Sequence, residues 1–225
     1  MRSFLLIILF TTIVTLSNAQ NTNSYGLKVD GLAQYTKDKE KNANMTLVDL
    51  KKHIPSIVLD VKYATKDNFM RKAMYSQARA FARKAVADKL KEIQQQLSLQ
   101  GLGLKIFDGY RPYSVTVDFY NQTKEKSFVA NPKNGSKHNR GAAVDLTLID
   151  LKTGKELEMP TQYDSFSASA APDYEPVSAL ARKNRALLIQ VMEKNGFKVL
   201  NNEWWHFDFI GWQNYPLMDI PFEKL

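Results

Sequence analysis

The sequence predicts an α+β fold, a small and mostly antiparallel sheet flanked by helices. Three observations support this: two long segments have apolar residues at helical spacing, several short segments alternate as strands do, and no strand–helix–strand unit repeats. The chain has 225 residues, 44% of them hydrophobic, which is enough to bury one sizeable core. We therefore expect a single folded domain.

Residues 1–19 have the pattern of a secretory signal peptide. Arg2 precedes an apolar run from Phe4 to Leu16, and small or polar residues follow up to Ala19. The alternative is a membrane anchor, but the run is shorter than the roughly 20 residues that span a bilayer. We expect cleavage after Ala19 and an exported protein, periplasmic or secreted, without stable membrane insertion.

Residues 20–45 are polar and rich in Asn, Lys and Thr, which predicts a flexible leader before a folded domain over residues 46–225. The net charge is +8, but the lysines and arginines are spread along helices rather than gathered in one tract with aromatics. A nucleic-acid partner is therefore not expected. The sequence does not predict an oligomeric state.

The first half of the folded region is predicted to contain two strands and two helices. Residues 57–69 begin with the alternation of a strand. Apolar residues at helical spacing predict a helix over residues 71–99, ended by glycines. The apolar run 102–107 predicts a buried strand, and Ser114 is the expected N-cap of a helix reaching about Lys126.

The second half is predicted to contain a loop, three strands and a helix. Turn-forming residues predict the loop over residues 127–141, and alternation predicts a strand over residues 142–149. A second amphipathic helix is expected over residues 176–195. The segments FKVL and WWHFDF are predicted strands joined by an Asn-Asn turn.

Two of the three histidines lie near acids in loop or strand surroundings. His138 precedes Asp145 by seven residues, and His206 lies in EWWHFDF. Because the chain has no cysteine, a metal could be held only by His, Asp or Glu, and two imidazoles with one carboxylate suit a zinc ion with an open position. Each residue alone has a simpler explanation as a loop histidine, a strand-edge acid or a core histidine. Together they predict one zinc ion per chain.

Glu203 and Arg111 are the candidate catalytic residues. Glu203 precedes His206 by three positions, so a regular strand would place them on opposite faces, whereas a bend would bring both to the metal. Glu203 would then act as a general base; the alternative is a solvated turn residue. Arg111 precedes a proline, which places it in extended or turn backbone, and its guanidinium could stabilise an oxyanion.

These segments together resemble the VanX-type D-alanyl-D-alanine dipeptidases, within the zinc D,D-peptidases. The matching pieces are YATKDNF, DGYRP, GSKHNRGAAVDLTL, MPTQYD and EWWHF, in the family's order between Tyr63 and about Phe209. The resemblance implies the zinc D,D-peptidase (hedgehog/D,D-peptidase-like) fold. It also implies hydrolysis of free D-alanyl-D-alanine, a small D,D-dipeptide, in cell-wall peptide turnover.

The resemblance also implies a role for each matching residue. The zinc ligands would be His138, Asp145 and His206, the catalytic acid/base Glu203, and the transition-state stabiliser Arg111. Asp164 and Tyr63 would hold the substrate's free ammonium group, and Ser136 would line the same pocket.

Two features depart from the family pattern. The chain has a predicted signal peptide, whereas the members that confer glycopeptide resistance are typically cytoplasmic. This argues against a resistance role and favours turnover or salvage of wall-derived dipeptide. In addition, Pro160 and Tyr163 stand where glycine and phenylalanine are expected, so we expect the pocket to differ in shape at this point of the chain.

Three other functions stay open at this stage. A D,D- or L,D-carboxypeptidase would trim peptidoglycan stem peptides and prefer longer substrates. A non-catalytic, zinc-stabilised binding module would keep the metal without activity, although the presence of Glu203 and Arg111 argues against it. A basic wall-binding protein without metal would leave the three predicted ligands unexplained.

Overall fold

The computed structural model describes residues 22–225 and confirms the predicted α+β architecture. The predicted signal peptide, residues 1–19, lies outside the described residues. From residue 22 onwards, no helix combines the length and the apolar character that crossing a membrane requires.

Helices and strands alternate irregularly along the described chain. The helices are α1 (Leu32–Lys41), α2 (Leu50–His53), α3 (Lys84–Ser98), α4 (Tyr113–Gln122) and α5 (Ala179–Lys194). The strands are β1 (Leu47–Asp49), β2 (Val58–Leu59), β3 (Phe81–Arg83), β4 (Leu102–Asp108), β5 (Ala143–Asp150), β6 (Phe197–Leu200) and β7 (Glu203–Phe209).

The main sheet has five strands in the order β2-β4-β5-β7-β6. Only β2 and β4 pair in parallel; the other neighbours are antiparallel, as predicted. β1 and β3 form a separate antiparallel pair. The central strand β5 is buried from Ala143 to Ile149, so both faces of the sheet are covered there.

The two long helices cover the sheet and close the core. α3 packs against β4, and α5 packs against β5, β6 and β7. Val86, Leu90, Ile93 and Leu97 of α3 are fully buried, at the three- and four-residue spacing that the sequence showed. A hydrogen bond of 3.2 Å from Gln96 Nε2 to Asn195 Oδ1 joins the two helices near their ends.

The long predicted helix over residues 71–99 is wrong in its first part. In the structure α3 begins at Lys84, and the preceding residues form a loop and then β3. Arg71 has a φ of 55°, a left-handed conformation that ends any right-handed helix. Phe81–Arg83 pair with β1, so apolar residues at helical spacing here serve a strand.

The predicted N-cap at Ser114 is also wrong, and the helix ends earlier than Lys126. α4 begins at Tyr113, with Pro112 in the N-cap position, and it ends at Gln122. Ser114 lies in the first turn, where its backbone N–H and its hydroxyl both donate to Asp219 Oδ1. An acid from the C-terminal segment therefore performs the capping that the sequence assigned to the serine.

The segment predicted as a flexible leader, residues 20–45, contains regular structure from residue 22. It includes α1, and Tyr35 of that helix is buried. The Tyr35 hydroxyl accepts a hydrogen bond of 2.8 Å from Leu47 N. Asp30 N donates to Leu217 O at 2.8 Å, so this segment contacts both β1 and the C-terminal segment.

Candidate active site and metal centre

Sheet register places two of the predicted metal ligands side by side. Asp145 on β5 and His206 on β7 are directly paired across the antiparallel ladder. Residues paired in this way project to the same face. His206 Nδ1 lies 3.0 Å from Asp145 Oδ1, in a region where both side chains are buried.

The third predicted ligand comes from a short helical turn between α4 and β5. His138 opens a 3-10 helix, His138–Arg140, that ends at Gly141 with a φ of 66°. The positive φ favours glycine here, and an added Cβ on Gly141 would lie 2.6 Å from Leu47 Cδ2, which would have to shift. The turn directs the His138 ring to the strands, and Nε2 lies 3.3 Å from Asp145 Oδ1.

The three ligand atoms have the spacing of a metal site. His138 Nε2 and His206 Nδ1 are 3.1 Å apart, which completes a triangle with sides of 3.0, 3.1 and 3.3 Å. A tetrahedral zinc ion with bonds of about 2.0–2.2 Å separates its ligands by about 3.3–3.6 Å, slightly more than the sides of this triangle. The residues predicted as ligands therefore form one buried group that could hold a metal ion.

Hydrogen bonds on the far side of each imidazole orient its lone pair toward this group. His138 Nδ1 donates to Gly109 O at 2.7 Å, and His206 Nε2 donates to Asp208 Oδ1 at 2.9 Å. In neutral rings these bonds leave His138 Nε2 and His206 Nδ1 as acceptors. Outer hydrogen bonds of this kind fix the tautomer and the orientation of metal-binding histidines.

Electrostatics at this group favour a cation. Burial would lower the pKa of His206, but the neighbouring carboxylates of Asp145 and Asp208 outweigh it and raise that pKa to about 10. Burial would raise the pKa of Asp145, yet the imidazoles of His138 and His206 hold it well below its usual value. Among the described residues, Asp145 Oδ1 has no hydrogen-bond partner. A buried, unpartnered carboxylate oxygen between two imidazole nitrogens fits a bound metal.

Glu203 reaches the same group despite its three-residue offset from His206. It opens β7, and the pairing of β6 with β7 is irregular between Val199 and Leu200. Glu203 Oε2 lies 3.9 Å from His206 Nδ1. Burial raises the pKa of Glu203, which suits a group that must accept a proton and give it back.

Arg111 is held at the site by an acid at the end of β4. Its Nε and Nη2 donate to Asp108 Oδ2 at 2.9 and 2.7 Å. The guanidinium also lies over the Phe119 ring, 4.8 Å from its centroid. Burial would lower the pKa of Arg111, but Asp108 outweighs burial and raises it, so the side chain is a fixed positive charge beside the ligands.

Asp164 and Tyr63 form a second polar pair in the cavity. The Tyr63 hydroxyl lies 2.9 and 3.1 Å from the two carboxylate oxygens of Asp164. Asp164 has a φ of 59°, a strained conformation that is typical of functional positions. Burial raises the pKa of Asp164 well above its usual value, and the charge of Asp145 adds to this. A cationic group bound beside Asp164 would stabilise the ionised carboxylate against burial and against the charge of Asp145.

All eight residues singled out from the sequence line one cavity of about 360 Å³. Ser136, the eighth of them, is buried, and its Oγ accepts a hydrogen bond of 3.2 Å from His138 N. The structure therefore brings together every predicted site residue. Apolar side chains, among them Phe69, Phe119 and Leu200, complete the walls.

Three contributing residues were not identified from the sequence. Asp108 orients Arg111, and Asp208 orients His206. Tyr163 donates a hydrogen bond of 3.0 Å to Asp145 Oδ2. Strand alternation could have revealed Asp208, two residues after His206 on one face. The contact of Asp108 with Arg111 depends on the shape of the turn after β4, and that of Tyr163 with Asp145 depends on how two separate segments pack.

Comparison with known proteins agrees with this geometry. The family model of peptidase family M15, described as D-Ala-D-Ala dipeptidase, matches residues 43–221. The D-alanyl-D-alanine dipeptidase of Escherichia coli K12 is 35% identical over 172 residues, covering 76% of this chain and 89% of that protein. The protein of the same name from Enterococcus faecalis V583 is 34% identical over 180 residues, covering 70% of this chain and 87% of that one.

A third relative shows the same range of similarity. The D-alanyl-D-alanine dipeptidase of Enterococcus faecium is 33% identical over 171 residues, covering 66% of this chain and 83% of that protein. The match extends over the candidate metal ligands and over both long helices. The chain belongs to peptidase family M15, the D-Ala-D-Ala dipeptidases, which are metallopeptidases.

Proposed function

We propose that this protein is a zinc-dependent dipeptidase that hydrolyses free D-alanyl-D-alanine to two molecules of D-alanine. The observation that carries the proposal is the cavity that contains both a three-ligand metal group and a buried acid, Asp164. The first could act on a peptide carbonyl, and the second could bind a free amino group.

The residues His138, Asp145 and His206 would hold the zinc ion. Two imidazoles and a carboxylate are a common ligand set for catalytic zinc, and the chain has no cysteine to compete. When bound, zinc supplies Lewis acidity and lowers the pKa of a coordinated water molecule to about 7. The remaining steps fall to side chains of this chain.

Glu203 is the proposed proton carrier. Its carboxylate, beside His206, takes a proton from the attacking water and passes it to the nitrogen of the departing D-alanine. Its raised pKa, caused by burial, makes the carboxylate a stronger base for the first of these transfers. The carbon–nitrogen bond then breaks and a neutral amine leaves.

Arg111 is the proposed stabiliser of the oxyanion that forms on the carbonyl. Asp108 and the Phe119 ring already fix the guanidinium beside the ligands, so little reorganisation is needed during the reaction. Arg111 Nη2 lies 3.9 Å from Asp145 Oδ2, which places the positive charge next to the metal group.

Asp164 and Tyr63 would select a substrate with a free ammonium group. A buried carboxylate is stabilised by a cation that donates hydrogen bonds, and the Tyr63 hydroxyl holds Asp164 in place. In a longer peptide the corresponding substrate nitrogen is part of an amide bond and carries no positive charge. This difference would separate a dipeptidase from a carboxypeptidase that acts on longer peptides.

The proposed place of action is outside the cytoplasmic membrane, in the periplasm or medium. It is supported by the signal-like pattern of residues 1–19. The substrate there would be dipeptide released from the cell wall, so the role would be turnover or salvage rather than resistance.

The test is amine release by the zinc-loaded chain from residue 20 onwards. The substrates are D-Ala-D-Ala, L-Ala-L-Ala, N-acetyl-D-Ala-D-Ala and a peptidoglycan stem peptide. We expect hydrolysis of the free D,D-dipeptide and little of the others. Preferred cleavage of the acetylated or stem peptide would show a carboxypeptidase instead, and bound zinc without any cleavage would show a binding module.

A further inference from the structure

We propose that Tyr163 is a positioning residue that holds the metal-binding carboxylate of Asp145 in place. The Tyr163 hydroxyl donates a hydrogen bond of 3.0 Å to Asp145 Oδ2, the oxygen that does not belong to the triangle of ligand atoms. The inference rests on the proposed metal site, and it assigns a role to a side chain outside the ligand set.

Among the described residues, only Tyr163 donates a hydrogen bond to Asp145 Oδ2. Arg111 Nη2 is 3.9 Å from the same oxygen, which is too far for a hydrogen bond. Arg111 is also committed elsewhere, because its Nε and Nη2 both donate to Asp108. Without the Tyr163 hydroxyl, Oδ2 would therefore lack a hydrogen bond in a buried site.

The Tyr163 ring is fixed by aromatic contacts on two sides. It stacks on Phe107 at 4.5 Å with an interplanar angle of 18°, and it meets Trp205 edge-on at 5.6 Å. Phe107 lies at the irregularity of β4, where the register with β5 shifts between Ile106 and Asp108. Bulges of this kind re-aim side chains near active sites, and this one supplies the platform for Tyr163.

This contact orients Asp145 so that one oxygen is left for the metal. With Oδ2 bonded to Tyr163, Oδ1 faces His138 Nε2 and His206 Nδ1 at 3.3 and 3.0 Å. A free carboxylate could rotate and offer both oxygens. Outer hydrogen bonds to metal ligands are worth about 10–100-fold in metal affinity or activity. Tyr163 would contribute on this scale by lowering the freedom of Asp145.

The experiment compares the zinc affinity of the wild type and of Tyr163→Phe by competition with a chromogenic chelator. This substitution removes the hydroxyl and keeps the ring on Phe107 and Trp205. The matched control is Tyr35→Phe, which removes another buried hydroxyl that lies in α1 and does not line the cavity. Thermal unfolding of each metal-free protein serves as the second readout.

We expect Tyr163→Phe to bind zinc about 10–100-fold more weakly, with a metal-free melting temperature lowered no more than that of Tyr35→Phe, which also loses a buried hydrogen bond. Tyr35→Phe should keep the wild-type affinity. Equal affinity of Tyr163→Phe and the wild type would overturn the inference while leaving the proposed zinc site intact. A wild type that binds no zinc would overturn both. A loss of affinity equal to that of Tyr35→Phe would show a general packing effect and also overturn the inference.

Discussion

Arg111 illustrates how a single buried charge can be prepared for catalysis. Its guanidinium is fixed by Asp108 and lies over the Phe119 ring, so its position does not depend on the substrate. We expect Arg111→Ala to lower kcat/KM by about 10²–10³-fold, the scale of losing one oxyanion donor. The measurement is steady-state hydrolysis of D-Ala-D-Ala with zinc content determined in parallel.

The control for Arg111 is Arg182→Ala, which removes a surface guanidinium paired with Glu175. That variant should keep the wild-type rate. If Arg111→Ala retained normal kcat/KM with zinc bound, the arginine would have no part in the reaction.

At the residue scale the sequence predicted the ligand set but not what holds it. His138, Asp145 and His206 are identifiable because few residue types bind metal and the chain has only three histidines. Asp108 contacts Arg111 three residues along the chain, through the turn that follows β4, and Tyr163 contacts Asp145 across 18 residues. Such contacts depend on strand register and on a bulge, neither of which has a clear local pattern.

Among the elements, the turn after β4 packs closely against strand β3. Gly109 carries the carbonyl that accepts from His138 Nδ1, and a Cβ on it would lie 2.5 Å from Phe81 O of β3. We expect Gly109→Ala to lower the free energy of unfolding by about 1–3 kcal/mol, the usual cost of overpacking. It should also weaken zinc binding, because the carbonyl that orients His138 would move.

Chemical denaturation and zinc titration check this prediction. The control is Gly31→Ala, where an added Cβ meets nothing within 4 Å. Unchanged stability and affinity in Gly109→Ala would mean that β3 and the turn after β4 separate easily. The proposed orientation of His138 by the Gly109 carbonyl would then be wrong.

Elements with long regular patterns were predicted well, and those made by non-local pairing were not. α5 lies within residues 176–195, β4 forms where an apolar run predicted a buried strand, and β5 forms where alternation predicted one. The helix over residues 71–99 was overextended because Met74 and Phe81 have helical spacing, although β3 pairs with β1 instead. The pairing of β3 with β1 joins residues more than 30 positions apart, and sequence periodicity does not reveal it.

For the whole molecule, a bound metal would join three elements that are distant in sequence. His138 lies on a 3-10 turn, Asp145 on β5 and His206 on β7. At a free zinc concentration of about 100 times Kd, binding adds about 2.7 kcal/mol to the stability of the folded state. In a chain of this size that corresponds to a rise in melting temperature of about 5–10 °C.

The measurement is thermal unfolding with zinc and with excess chelator. We expect His138→Asn to abolish the difference between the two conditions. The control is His53→Asn, because His53 pairs with Asp88 on the surface, and this variant should keep the full difference. A zinc-dependent rise that survives in His138→Asn would place the metal elsewhere.

The proposed mechanism combines metal-dependent hydrolysis with proton transfer by Glu203. Glu203 lies beside the ligands without belonging to the triangle of ligand atoms. The most direct test is therefore the rate of D-Ala-D-Ala hydrolysis by Glu203→Gln, measured together with its zinc content. We predict one zinc ion per chain, as in the wild type, and a rate lower by about 10²–10⁴-fold, the usual contribution of general acid–base catalysis. A near-normal rate with zinc bound would contradict the account.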